Sequence, residues 1–169
     1  QAAGRGNTIW AAHTVACNST PGTPNEPCVR AVRIDVTPGS GSSSHSASVS
    51  AQTSFGGGDN TFYWMPGIAV NSALQTVVVF QHSSASSYLS AAYTLKNNTD
   101  TTYPVAQELT TGNCEQDQLL PGNSASRTGD YVGVQTNPND QTSFWIAGER
   151  AGNLGGGCWW ETRIMQVTQ

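Results

Sequence analysis

Three ionisable residues in the last third of the chain have side chains that acid–base chemistry or ligand binding uses: Arg127, Asp130 and Asp140. A guanidinium and two carboxylates can form a ligand-binding rim or an acid/base set. The same residues suit a structural role, because Asp140 ends the turn sequence Asn-Pro-Asn-Asp, where an aspartate bonds its own backbone. Asp130 fits the same role with Arg127 as its partner. We interpret the stretch as a hairpin with a side-chain-stabilised turn, and we assign no catalytic residue.

Aromatic residues form the second candidate site, since sugars and protein partners both pack on exposed rings. These residues are concentrated near the ends of predicted strands. Alternation along a strand turns one member of each adjacent aromatic pair away from the core. The outward rings predict a sugar-binding platform or a subunit interface, with a second packed layer as the structural alternative. The residues selected for binding are Trp10, Trp64, Trp145 and Trp160.

Metal binding has weaker support in the sequence. The three histidines have no acidic residue at a recognisable ligand spacing. Oxygen ligands for calcium occur at Asp59-Asn60, Asn98–Asp100 and Asn139-Asp140, but without an EF-hand pattern. We therefore predict no metal site and no cofactor, and a structural calcium ion stays open as an alternative.

The four cysteines, Cys17, Cys28, Cys114 and Cys158, include no Cys-x-x-Cys pair, which argues against a zinc site. Four cysteines allow three disulfide connectivities. We favour Cys17–Cys28, which closes a loop rich in Pro and Gly, and Cys114–Cys158, which ties a loop to the last strand. Four free buried thiols are the alternative. Disulfides and a Ser/Thr-rich, lysine-poor composition predict a secreted, extracellular protein.

The low charge of the chain argues against several partners. Charged residues make up 11% of the sequence, against roughly 25% in average soluble proteins. The net charge of −4 disfavours nucleic acid as a ligand. The apolar run Val77–Phe80 is far below the ~20 residues that span a bilayer, so no membrane span is predicted. Glycosylation sequons begin at Asn18 and Asn97 in predicted loops, and they matter only in a cell that glycosylates.

Helical periodicity is absent from the sequence, and short runs of Val, Ile, Thr, Tyr and Trp alternate with turn signals. This pattern predicts an all-β fold of antiparallel sheets, either propeller-blade-like or a β-sandwich, without substantial helix. The predicted strands are Thr8–Val15, Val29–Val36, Ala47–Thr53, Gly67–Asn71, Thr76–His82, Tyr88–Leu95, Tyr131–Thr136, Ser143–Gly148 and Trp159–Val167.

The chain is predicted to be one domain, residues 1–169. Its polar segment 1–7 has no strand signal and is predicted to be a mobile or strand-donating arm. A weak internal repeat is visible, because two segments share a strand, a turn at Asn71 or Asn137, and a more apolar second strand. The two segments are somewhat further apart in sequence than the roughly 40–50 residues of a propeller blade, and a long loop between them accounts for the difference.

Four blocks resemble a known family when taken in order: "IWAAHTV…RAVRIDV", "FYWMPGIAVNSALQTVVVFQHSS", "RTGDYVGVQTNPNDQTSFWIAGER" and "CWWETRIMQV". Together they are similar to the C-terminal portion of large secreted bacterial sialidase-like β-propeller proteins of the Asp-box type. The resemblance covers most of the chain, weakly between the blocks, and departs from the family at Val132 and in the long loop around Cys114. It implies propeller blades, and it carries over no active site.

The expected function follows from the number of blades. Propellers have 4–8 blades, whereas this sequence has strands for about two and a half. Open blade faces and sheet edges are aggregation hazards unless a partner covers them. We therefore predict an extracellular, non-catalytic assembly or binding module that completes its sheets with neighbouring copies, as a ring or filament, or with a companion chain from the same precursor. The alternative is a carbohydrate-binding module or part of a sialidase-like glycoside hydrolase.

Overall fold

The computed structural model describes residues 1–17, 26–40, 44–58, 60–115 and 132–168. Within these ranges the chain contains strands and no helix, which confirms the predicted all-β class. The strands are β1 (Ala2–Arg5), β2 (Thr8–Cys17), β3 (Glu26–Pro38), β4 (His45–Phe55), β5 (Thr61–Val70), β6 (Thr76–Ser84), β7 (Ser87–Lys96), β8 (Gln107–Thr110), β9 (Gly133–Thr136), β10 (Phe144–Leu154) and β11 (Gly157–Val167).

The strands form three antiparallel sheets, each built from consecutive strands. Sheet A has the order β1-β2-β3-β4, sheet B has β5-β6-β7-β8, and sheet C has β9-β10-β11. Each strand therefore pairs with the next strand in sequence, which short connections favour. This up-and-down order within four-stranded sheets is the arrangement found in propeller blades.

Sheet B lies between the other two sheets, and a hydrophobic core fills each of its faces. Val78 and Phe80 of β6 pack toward sheet A, against residues such as Trp10. Their neighbours Val77 and Val79 pack toward sheet C. Successive side chains of a strand point to opposite faces, so a strand buried on both faces needs a continuous apolar run. The run Val-Val-Val-Phe in β6 meets this requirement, and all four side chains are fully buried.

The three sheets meet at one end through the turns that join their first and second strands. The Ser72 backbone N–H donates to the Gln141 carbonyl at 2.8 Å, and the Asn71 side-chain amide donates to the Thr142 carbonyl at 2.6 Å. The Arg5 guanidinium donates to the Gln141 side chain at 2.9 Å. The first strands also contact one another, β1 with β5 and β5 with β9. The sheets therefore repeat one structural unit, as the sequence repeat indicated.

Residues 1–7 are not an unpaired arm, and this part of the prediction is corrected. Ala2–Arg5 form β1 and pair antiparallel with β2 of the same chain. The turn between them uses Gly6, whose φ of 57° is in the left-handed region that glycine adopts without strain. The backbone of Gln1 also exchanges two hydrogen bonds of 2.9 Å with Ala12. The segment lacks β-branched and aromatic residues, so only its partner strand makes it extended.

Both predicted disulfides are present. Cys17 pairs with Cys28 across β2 and β3, and Cys114 pairs with Cys158 at the start of β11. Next to the second disulfide, the Asn113 backbone N–H donates to the Ala151 carbonyl at 2.9 Å, which holds the segment after β8 against β10. Disulfides are typical of an oxidising, extracellular-type compartment. In the described part of the chain, no helix has the length and apolar character that crossing a membrane requires.

Candidate functional site

The side of sheet C that faces away from sheet B carries large apolar side chains in contact with solvent. Phe144 and Ile146 of β10 point into the core, so Trp145 between them points outward. Trp145 is 43% exposed, and on the neighbouring strand Trp160 and Ile164 are 60% and 65% exposed. We name this surface the sheet C outer face, and it includes Trp145, Ala147, Glu149 and the buried Ala151 of β10 with Trp160, Thr162, Ile164 and Gln166 of β11.

The strand register gives the sheet C outer face an uneven relief. Ile164 lies opposite Ala147, and Trp160 lies opposite Ala151. Trp160 and Ile164 therefore project above their alanine neighbours, of which Ala151 is fully buried. Interdigitating large and small side chains is how stacked sheets pack against each other. The surface has the composition of an interface rather than of an ordinary solvated sheet face.

The side of sheet A that faces away from sheet B is also apolar. Ile9, Ile34 and Val49 form one cross-strand row on β2, β3 and β4. Ile9 is 40% exposed and Val49 is 61% exposed. We name this surface the sheet A outer face, and it includes Ile9, Ala11, His13, Arg30, Val32, Ile34 and Val49, with the polar Gln52 and Ser54 paired to Val32 and Arg30. Sequence analysis missed this surface because single apolar residues in short strands carry no signal of which face is covered.

Two of the four tryptophans predicted to bind share a surface, and the other two do not. Trp145 and Trp160 both lie on the sheet C outer face. Trp10 is 5% exposed within the core between sheets A and B, where it also lines a cavity. Trp64 is half-buried in β5, where the pairing register with β6 shifts. The four residues therefore do not form one common platform.

Strand alternation does not bury either member of the pair Trp159–Trp160. Trp160 points outward, and Trp159 belongs to the opposite face but is still 50% exposed. The reason is the position of β11, which is an edge strand of sheet C. Near an edge, the inward face of a strand has fewer neighbours, so alternation alone does not determine burial.

Asp140 lies in a hydrogen-bonded turn between β9 and β10. Its carboxylate accepts hydrogen bonds from the backbone N–H groups of Thr142 and Ser143, at 2.8 and 2.9 Å. It also accepts from the Ser143 hydroxyl and the Asn137 side-chain amide. The hydroxyl and backbone N–H of Ser143, followed by the Thr142 N–H, lower the pKa of Asp140 to about 2. The carboxylate is engaged in holding the turn.

We expect the contribution of Asp140 to stability to depend on pH. The pKa of about 2 in the folded state is below the value of about 3.9 in unfolded chains, so ionisation favours folding at neutral pH. That contribution is complete above the unfolded-state pKa and is lost as the pH falls through about 2. Asp140→Asn should therefore lower the melting temperature at pH 7 and have a progressively smaller effect from pH 4 to pH 2. Thermal melts at several pH values test this, and a difference that stays constant down to pH 2 contradicts it.

Other residues selected from the sequence fall in different places. Arg127 and Asp130, predicted to support the turn, and the sequon residue Asn18 lie outside the described residues. The sequon residue Asn97 follows β7, where its side-chain oxygen accepts a 3.1 Å hydrogen bond from Gln75. Its backbone N–H donates to the Asp100 carboxylate, so this loop is a closed turn.

A sialidase-type glycosidase requires several arginines around one carboxylate. The described arginines do not have this arrangement. Arg33 pairs with Asp35 on sheet A, with Nε and Oδ1 at 3.0 Å. Arg150 pairs with Glu161 on sheet C, on the other side of sheet B. Among the described residues, no three His, Cys, Asp or Glu side chains group closely enough to hold a metal ion.

The fold and the surfaces define a class: a disulfide-containing all-β protein with three stacked antiparallel sheets and apolar outer faces. No protein-family model matches the sequence, and comparisons with curated proteins and with solved structures found no match. The resemblance to sialidase-like propellers therefore stays a prediction, and the function is argued from the surfaces.

Proposed function

We propose that this chain is an extracellular, non-catalytic assembly module whose outer sheet faces pack against those of a second copy. The observation that carries the proposal is the pair of apolar outer faces at opposite ends of the stack. Trp160 and Ile164 on sheet C and Val49 on sheet A are each at least 60% exposed. Contiguous apolar surface of this kind marks interaction sites in soluble proteins. The two disulfides and the low lysine content support the extracellular location.

A second copy is the favoured partner because it continues the packing that already exists inside the chain. Sheet B is covered on both faces by antiparallel sheets of the same type. The outer faces of sheets A and C lie at opposite ends of the stack, so a head-to-tail contact joins one to the other. Two copies bring together six sheets, within the 4–8 that close a propeller. In this pair of chains, the two contacts between a sheet A outer face and a sheet C outer face are equivalent, and they close a ring of six sheets.

The polar residues of the two outer faces are also complementary in charge. Arg30 and His13 lie opposite each other on the sheet A outer face. Glu149 lies on the sheet C outer face, between Trp145 and Trp160 along the sheet. A head-to-tail contact brings basic side chains toward an acidic one, whereas a contact between two identical faces juxtaposes like charges. Charge complementarity of this type selects the orientation of a contact.

The test is the particle mass in solution. Sedimentation at micromolar concentration should give twice the 17.8 kDa mass of one chain. Trp160→Asp places a charge in the centre of the proposed contact, and we expect it to raise the dissociation constant at least about thirtyfold. Trp159→Asp is the matched control, because Trp159 is equally large and exposed but belongs to the opposite face of β11. It should leave the particle mass unchanged.

A wild-type particle with the mass of one chain at high concentration would refute self-assembly. The exposed rings of Trp145 and Trp160 favour carbohydrate binding as the second candidate function, since sugars stack on such rings. Glycan binding by a single-chain particle, lost in Trp160→Ala and kept in Trp159→Ala, would support that candidate.

A further inference from the structure

A cavity of about 420 Å³ lies between sheet A and the segment that joins β7 to β8. Its size is in the range of small-molecule sites. Apart from Val32 and Gln52 at its edge, its lining residues lie outside both outer faces. The side chains that determine its chemistry are Trp10, Arg33, Lys96, Asp100 and Tyr103.

Local backbone features keep this space open. The sheet A residues Ala31 and Ala51 line the cavity with small side chains. The pairing of β3 with β4 shifts register between Arg33 and Ile34, and such irregularities redirect side chains at binding sites. On the opposite wall, Leu74 has a φ of 60°, in the left-handed region that is unfavourable for leucine. A register shift and a strained residue therefore flank the same cavity.

The cavity combines aromatic rings with cations. The guanidinium of Arg33 lies 5.6 Å from the centre of the Trp10 ring, and Lys96 Nζ lies 5.8 Å from the centre of the Tyr103 ring. In the described part of the chain, only Nε of Arg33 has a hydrogen-bond partner, Asp35, so its two terminal amino groups remain available. Burial lowers the pKa of Lys96 and the nearby Asp100 opposes this, while the charge of Arg33 lowers that pKa further. The positive charges of Arg33 and Lys96 therefore influence each other within the cavity.

Neutral polar side chains complete the lining. Asn98, Thr99 and Thr101 border the cavity and are exposed on the turn after β7. Amide and hydroxyl groups suit the hydroxyls of a sugar, and the half-buried ring of Tyr103 suits the apolar face of a pyranose. A guanidinium with two free amino groups suits a carboxylate. One class of ligand combines hydroxyl groups, an apolar ring face and a carboxylate.

We propose that this cavity binds a single-ring sugar that carries a carboxylate, a hexuronic acid. The carboxylate lies at the terminal amino groups of Arg33, with Lys96 as the second cation. The sugar ring packs beside the half-buried ring of Tyr103, and its hydroxyls bond the amide and hydroxyl groups of the rim. A ligand of this size is expected to bind with a dissociation constant on the order of 1 mM.

Calorimetric titration of the full chain with D-galacturonate and with D-glucuronate tests the proposal. Saturable binding of at least one uronate in the low millimolar range is expected. Neutral D-galactose and acetate, each providing only part of the ligand, should bind at least tenfold more weakly. A uronate bound no more tightly than galactose would overturn the assignment of the carboxylate to Arg33. No heat from either uronate at ten times the expected dissociation constant would overturn the site itself.

Arg33→Gln should weaken uronate binding at least tenfold. Arg163→Gln is the matched control, because Arg163 is an exposed arginine on β11 and does not line the cavity. Thermal melting of both variants checks that they fold, and in NMR spectra the Trp10 indole N–H should shift with uronate in the wild type. Unchanged uronate affinity in folded Arg33→Gln would contradict the proposal. The outcome is independent of the particle mass, so this site and the assembly can fail separately.

Discussion

Replacing Cys114 and Cys158 together by serine should lower the free energy of unfolding by about 4 kcal/mol. The disulfide joins residues 44 positions apart, and chain entropy predicts roughly this stabilisation for a loop of that length. The bond also holds the segment after β8 near β10, where Asn113 bonds the backbone of Ala151 and Asn153. Denaturant unfolding at one fixed protein concentration measures the change, because self-association would otherwise alter the apparent stability.

The second disulfide of the chain is the matched control for this experiment. Cys17 and Cys28 are 11 positions apart, so the same relation predicts roughly 3 kcal/mol for their replacement by serine. The double variant Cys114→Ser/Cys158→Ser should therefore be the less stable of the two. If the Cys17–Cys28 variant is clearly less stable, loop closure is not the main contribution, and packing around β2 and β3 decides the order.

Asn71→Ala is expected to lower the free energy of unfolding by about 3 kcal/mol, since unsatisfied buried polar groups cost roughly 1–3 kcal/mol each. The Asn71 side chain is fully buried. Its amide donates to Gln75 Oε1 and to the Thr142 carbonyl, both at 2.6 Å. Its oxygen accepts from the backbone N–H groups of Ala73 and Gln75, at 3.0 and 2.9 Å. The substitution removes all four hydrogen bonds, including one that joins sheets B and C.

Asn139→Ala is the control for this second prediction. Asn139 is also a turn asparagine but is exposed, and its hydrogen bond within the described residues is made by the backbone N–H, to the Asn137 side-chain oxygen. It should change stability by less than about 0.5 kcal/mol, as surface substitutions do. For a chain of this length, the loss at Asn71 corresponds to a melting temperature roughly 10 °C lower. Equal melting temperatures for the two variants would show that the Asn71 hydrogen bonds are replaced by water at no cost.

Several structural features were predictable because they depend on local sequence. The all-β class follows from short β-branched runs between turn signals, and the run in β6 predicts a strand buried on both faces. The turns at Asn71 and Asn137 were visible as a repeat, because asparagine side chains bond the backbone of such turns wherever they occur. Both disulfides followed from the positions of cysteines relative to predicted strands.

Other features depended on partners that lie far away in sequence. β1 was missed because Ala-Ala-Gly-Arg has no intrinsic strand preference, and pairing with β2 makes it extended. β8 was missed for the same reason, since Gln-Glu-Leu-Thr becomes a strand by pairing with β7. Trp10 was predicted to bind from its aromatic character, whereas the approach of sheet B buries it.

The sequence by itself therefore determined the strand-rich class and the repeated turn, since each depends on residues close in the chain. It favoured one of three disulfide connectivities, and the structure decided the pairs. Only the tertiary structure decided which faces are covered. The side chains of Phe144 and Trp145 are adjacent in sequence and similarly apolar, yet one is in the core and the other faces solvent. Their difference arises because sheet B packs on one side of sheet C only. The cavity beside Trp10 likewise exists only because two sheets and one turn enclose it.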